Sequence, residues 1–200
     1  TALNRLKTCR DLMEEQFQSH NGRLINTWGD AVIAEFSSVV ESVRCAVAIQ
    51  TALERENQKL PQASRMQFRI GINLGDVMED GDNVYGEGVN IAARLESLAD
   101  PGGILVSKTV YDFAGKQLAF GLDYAGSHEL KSGEDEIVSY RVRMERKNSP
   151  DAEVIDESEV ENARSDTAKS DLASLKNRFE KWWQEQPRKV RMSTGMIALF

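Results

Sequence analysis

Cysteine and histidine are scarce, with two of each in 200 residues. Cys9 and Cys45 stand far apart, each beside apolar residues in a stretch with helical periodicity, and no pair of Cys or His has ligand spacing. That removes a zinc site, reads as two buried free thiols and fits a cytosolic compartment. Positive charge is also in deficit, 25 Lys and Arg against 32 Asp and Glu, a net charge of −7. Nucleic-acid binding usually needs a basic surface, so the balance argues against that class. A nucleotide can still be held by positive charge that is local. No internal repeat is visible, and no apolar run reaches the roughly 20 residues a membrane-spanning helix takes.

What is present is ordinary for a soluble globular protein: 40% hydrophobic and 28% charged residues. The length suggests one domain plus extensions. Residues 2–19 read as an amphipathic helix, and Asn21-Gly22 as a turn. Residues 23–27 and 31–36 read as a hairpin turning at Trp28-Gly29-Asp30. Ser37 and Ser38 can cap a helix whose apolar stripe includes Val43, Val47, Ile49 and Leu53. Strands are expected at 67–74, 77–79, 104–107, 118–124, 127–130 and 137–142, with helices at 87–98 and 108–113. The order mixes helical crossovers with hairpins, which favours an α+β sandwich over a doubly wound sheet.

The most informative stretch runs from Arg69 to Glu96, RIGINLGDVMEDGDNVYGEGVNIAARLE. It joins a hydrophobic strand, an acidic glycine-rich turn and a helix. Asn90 and Arg94 are four apart on that helix, so they share one face. An amide and a guanidinium side by side suit an anionic ligand such as a phosphate ester; the alternative is a surface helix with Arg94 paired to Glu87 or Glu96. Gly86 and Gly88 mimic part of a dinucleotide fingerprint, but Ile91 fills the third glycine position and removes that reading.

From residue 145 the composition changes. Residues 145–165 read as an acidic disordered linker. Residues 166–187 read as a helical segment carrying Leu172, Leu175, Phe179, Trp182 and Trp183 and ended by Pro187. In 188–200, Arg188, Lys189 and Arg191 precede the apolar run MIALF, the pattern of a cytoplasmic flank and the start of a transmembrane helix. The chain is therefore expected to be a fragment, tethered to the inner membrane by a segment beyond Phe200. A tail helix packing against its own dimer mate is the other reading of the Trp pair.

Four blocks, in order, carry a family resemblance: NTWGDAVIAEF, FRIGINLGDV, NVYGEGVNIAARLE followed by DPGGILVS, and HELKSGEDEIVSYRV. Over residues 1–144 the chain resembles the catalytic domain of class III adenylate/guanylate cyclases, bacterial type. The resemblance implies a ferredoxin-like βαββαβ sandwich, a head-to-tail homodimer and active sites at the subunit interface. It implies conversion of ATP, or GTP, to a 3′,5′-cyclic nucleotide and pyrophosphate, in second-messenger signalling. Two divalent cations per site, Mg²⁺ or Mn²⁺, assist the attack of the ribose 3′-oxygen on the α-phosphate.

Residue by residue, Asp30 matches a metal-binding aspartate. Asn90 matches the asparagine that orients the ribose, and Arg94 the arginine that stabilises charge on the phosphate. Lys131 matches the lysine that contacts the terminal phosphates. Asn26 and Asn83 stand where the family selects its purine, with lysine and aspartate in adenylate types and glutamate and cysteine in guanylate types. An amide both donates and accepts, so the pair does not decide; the surrounding sequence leans to ATP.

The family's first strand, with its other metal aspartate, precedes the helix on which this chain opens. The 200 residues alone are therefore expected to show negligible activity and an exposed sheet edge. The competing functions are a non-catalytic, nucleotide-binding regulatory module and a membrane scaffold dominated by its tail.

Overall fold

The computed structural model describes residues 2–28, 31–80, 83–129, 136–146 and 196–199. The chain divides into two units, residues 1–147 with 191–200, and residues 148–190. All described residues lie in the first. The acidic linker and the tail helix expected from the sequence fall outside them.

Helix α1 (Ala2–Ser19) buries Met13 and Phe17. The hairpin β1 (Gly22–Trp28) and β2 (Ala31–Phe36) follows, then α2 (Val39–Gln58) and a single 3₁₀ turn at Gln62–Ser64. Next come β3 (Ile70–Asn73), the short ribbon β4 (Met78–Asp80) and β5 (Asn83–Tyr85), and α3 (Glu87–Leu98). Then β6 (Ile104–Ser107) and α4 (Lys108–Ala114) lead to the long hairpin β7 (Phe120–Glu129) and β8 (Glu136–Arg146). The last described element is β9 (Met196–Leu199).

Seven strands form one sheet in the order β1-β2-β9-β3-β6-β8-β7, with β4-β5 as a separate pair. Among the described strands of this sheet, only β3 and β6 run parallel; the other neighbouring pairs are antiparallel. The α+β class expected from the sequence is what the chain adopts.

Both faces of the central strands are covered, which is why β3 and β6 read as near-continuous apolar runs. On one face Ile70, Ile72, Ile104 and Val106 join Met13, Phe17, Val43, Ile49 and Val110 from α1, α2 and α4. Each such fully buried side chain contributes roughly 2 kcal/mol of transfer free energy. On the other face Leu105 and Ile137 pack on Leu95 of α3 and on Ala99, which follows the helix. A smaller cluster of Ile33, Val77 and Val84, with Ile25 and Val89 against it, ties the ribbon to the β1-β2 hairpin and to α3.

Ser38 caps α2, its Oγ accepting from the Glu41 amide at 3.4 Å. Strand β7 is one strand where the sequence suggested two. A bulge between Tyr124 and Gly126 carries it through the apparent break, with Gly126 at φ 113° supplying the left-handed residue the irregularity needs.

The end of the chain departs most from expectation. Of the residues taken as the start of a transmembrane helix, Met196–Leu199 are extended, and as β9 they lie antiparallel between β2 and β3, with Ile197 opposite both Ala34 and Ile72. A four-residue apolar segment satisfies its backbone on both sides there, and the interior sheet edge expected to be exposed is paired. No described helix is long and apolar enough to cross a membrane.

The two thiols are free. Burial, and then the nearby Glu41 carboxylate, push the Cys45 thiol up to about 12. Cys9 is only partly buried, and its thiol is raised by burial and by Glu56. Thiolate is the reactive form, so Cys45 is expected to resist a disulfide reagent at pH 8 until the protein unfolds. Titration with and without denaturant checks this; prompt native-state labelling of both thiols would contradict the packing around α2.

Candidate functional site

The site is built around the N-terminal half of α3. Gly86 precedes the helix at φ 134°, a conformation open to glycine, and an added Cβ would sit 3.1 Å from the Asp76 carbonyl. Gly88 follows in the first turn, where a Cβ would lie 3.0 Å from the same carbonyl and 3.3 Å from the Gly75 carbonyl carbon. The two glycines let the helix start against the loop that leaves β3. Behind it, Ala92, Leu95 and Glu96 are buried against the sheet. Asn90 and Arg94 therefore face outward together, both exposed.

Glu96 is not Arg94's partner. It pairs with Arg69 on β3's approach, Nε to Oε1 at 2.9 Å, with the carboxylate buried. Arg94 has no carboxylate partner among the described residues, and its guanidinium remains available to an anion. Its carbonyl accepts from the Ser97 hydroxyl at 2.8 Å, a contact that leaves the side chain untouched.

Asn26 lies on β1 beside the bulge at Ile25, and its Oδ1 accepts from the Thr27 amide at 2.7 Å. Asn83 opens β5, its backbone opposite Asp80. Ile25 and Val84 pack in the same small cluster, so the segments carrying Asn26 and Asn83 are neighbours. The structure thus draws Asn26, Asn83, Asn90 and Arg94 onto adjoining elements. Asp30 and Lys131 lie outside the described residues. No three His, Cys, Asp or Glu among the described residues gather to hold a metal ion. The described carboxylates alone do not make a cation site.

One residue escaped the sequence reading. Asn73 ends β3, is 3% exposed, and its Nδ2 donates to the Gly88 carbonyl at 3.1 Å. The available signal was an amide breaking the apolar run Ile-Gly-Ile, on the same strand face as Gly71.

With this geometry in view, comparison with known proteins is specific. The family described as the adenylate and guanylate cyclase catalytic domain matches residues 1–144. Putative adenylate cyclase 3 of Rhizobium meliloti (strain 1021) is 38% identical over 123 residues, 62% of this chain and 21% of that protein. The chain therefore spans about a fifth of that relative's length. An adenylate/guanylate cyclase/hydrolase from Silicibacter pomeroyi superposes with a TM-score of 0.66 at 32% identity, covering 70% of this chain and 83% of that one. The adenylyl cyclase CyaB of P. aeruginosa shares the fold, with a TM-score of 0.61 at 20% identity over 74% of this chain and 84% of its own.

Proposed function

The chain belongs to the adenylate and guanylate cyclase catalytic domain family, and from that premise we propose that the protein converts ATP to 3′,5′-cyclic AMP and pyrophosphate. The observation that carries the proposal is the outward pair on α3: an amide and a guanidinium without a carboxylate partner among the described residues, on a helix whose start is fixed by glycine packing. The ribose 3′-oxygen forms a bond to the α-phosphorus as the bond to the leaving pyrophosphate oxygen breaks. Arg94 donates N–H bonds to the phosphoryl oxygens as charge grows on them, and Asn90 holds the ribose so that the 3′-oxygen is in line. Lys131 neutralises the terminal phosphates. Asn26 and Asn83 contact the purine.

A divalent cation, Mg²⁺ or Mn²⁺, would supply Lewis-acid activation of the 3′-oxygen, and Asp30 is the residue assigned to hold it. The proposed assembly is a homodimer with its sites at the subunit interface, acting in second-messenger signalling.

The uncharged Asn26 and Asn83 keep GTP as the alternative substrate, and a nucleotide-binding module without turnover as the alternative function. The test is competition between ATP and GTP, with Mg²⁺ and with Mn²⁺, in the protein as its gene encodes it. Products are separated by chromatography. Cyclic AMP in excess is the expected result. Cyclic GMP in excess would reassign the substrate, and binding of either nucleotide without product would establish the regulatory reading.

A further inference from the structure

We infer that Asn73 is a positioning residue for the nucleotide site, setting the placement of Asn90 and Arg94 through the first turn of α3. The inference rests on the reading of those two residues just given. A helix is least restrained in its first turn, where backbone groups lack intrahelical partners. Here that turn is held from beneath. The Asn73 Nδ2 donates to the Gly88 carbonyl at 3.1 Å, two residues before Asn90. The other end of the same amide accepts from the Thr109 hydroxyl at 3.4 Å. Thr109 in turn lies 2.7 Å from the Ser107 hydroxyl, which caps α4, and its single hydroxyl hydrogen is shared between the Asn73 Oδ1 and the Leu74 carbonyl, each at 3.4 Å.

One buried side chain thus joins the end of β3, the start of α3 and the start of α4. The loop after β3 wraps the same point: a Cβ on Gly75 would come 3.2 Å from the Gly88 Cα and 3.1 Å from the Asn73 Nδ2. An apolar residue at 73 would fill the space yet release the first turn of α3 from this tie, while Ala92 and Leu95 still seat the rest of the helix. An amide has both the donor and the acceptor this junction uses. Asn73 is almost wholly buried beneath α3, so it acts through Asn90 and Arg94.

The test compares Asn73→Leu with Gln50→Leu, and with Thr109→Val as a milder variant. Gln50 is a fair control. It is a buried amide on α2 that donates to the Phe68 and Gly103 carbonyls at 2.9 and 3.2 Å, and it belongs to a helix that packs on the other face of the sheet. Amide hydrogen exchange is read across α2 and α3 in the 200-residue chain. Cyclase kinetics are read in the protein as its gene encodes it. Asn73→Leu is expected to speed exchange in the first turn of α3 by about tenfold more than in α2. It should lower kcat about 30-fold with KM inside about threefold. Thr109→Val should move both in the same direction by less.

Gln50→Leu should leave the start of α3 and kcat at wild-type values. Equal loosening of α3 by Asn73→Leu and Gln50→Leu would overturn the inference, as would an unchanged kcat in an active Asn73→Leu protein. If Asn73→Leu does not fold, Thr109→Val decides against the same control. If the wild-type protein makes no cyclic nucleotide, the catalytic reading fails, and the exchange comparison alone decides whether Asn73 places α3.

Discussion

Gly71→Val is expected to leave the chain unable to hold its native sheet, and Gly71→Ala to remove about 3 kcal/mol of stability, the upper end of overpacking costs. The cause is space. Gly71 sits in mid-strand on β3, paired to Leu105 and Ala198, with α3 lying directly across it. An ideal Cβ there would come 2.1 Å from the Ala92 carbonyl oxygen and 2.4 Å from the Glu96 amide nitrogen. Both are helix backbone atoms, so neither can turn aside as a flexible side chain would. The helix must lift, and Ala92 and Leu95, each 0% exposed, lose the close packing that holds it.

Against a total stability of about 5–15 kcal/mol, the alanine variant is a damaged protein and the valine variant an unfolded one. Gly102 gives the contrast. A Cβ there would meet nothing nearer than the Gln67 Nε2 at 3.9 Å, but the glycine's φ is 79°, so Gly102→Ala should cost only the left-handed penalty of about 1 kcal/mol. Urea unfolding of the three variants checks the ranking. A loss under about 1 kcal/mol for Gly71→Ala would mean that α3 is not seated on β3 as described. Because the same helix carries Asn90 and Arg94, Gly71→Ala should lose catalytic activity out of proportion to its fraction unfolded.

That dependence explains which parts of the molecule were legible in its sequence. Elements with a clear period were readable: the stripe of α2, the 87–98 helix, and the apolar runs at β3 and β6 that signal burial on both faces. Asn90 and Arg94 were readable because i,i+4 spacing fixes their face before any tertiary contact is known. What depends on long-range contact was not. Strand β7 looked broken because its bulge at Gly126 is a property of pairing with β8. β9 looked like the start of a membrane helix because a short apolar run carries no record of what it will pair with. Glu96 looked like a partner for Arg94, but its position on the buried face gives it to Arg69. Asn73 shows in the sequence only as an amide ending an apolar run, for the same reason: its partner, the Gly88 carbonyl, is backbone and lies fifteen positions away.

Arg94→Ala is expected to lower kcat by about 10²–10³-fold with stability unchanged within about 0.5 kcal/mol, the first figure being the typical loss of one preorganised donor to a developing anion and the second the usual effect at an exposed position. The separation of the two effects is the point of the experiment. Arg94 is exposed and has no carboxylate partner among the described residues, so little in the fold depends on its charge. Its hydrogen bond to the Ser97 hydroxyl uses the main-chain carbonyl, which alanine retains.

Arg94→Lys sharpens the test. Lysine restores a positive charge but not the planar fork that binds two phosphoryl oxygens at once. Simple attraction of a polyanion would then be rescued, lowering KM towards wild type, while kcat would stay at least about tenfold down. Full rescue by lysine would reduce Arg94 to a point charge that steers the nucleotide to the site. A kcat within about threefold of wild type in Arg94→Ala would remove this face of α3 from the chemistry altogether, and the reacting phosphate would have to be sought against residues outside α3.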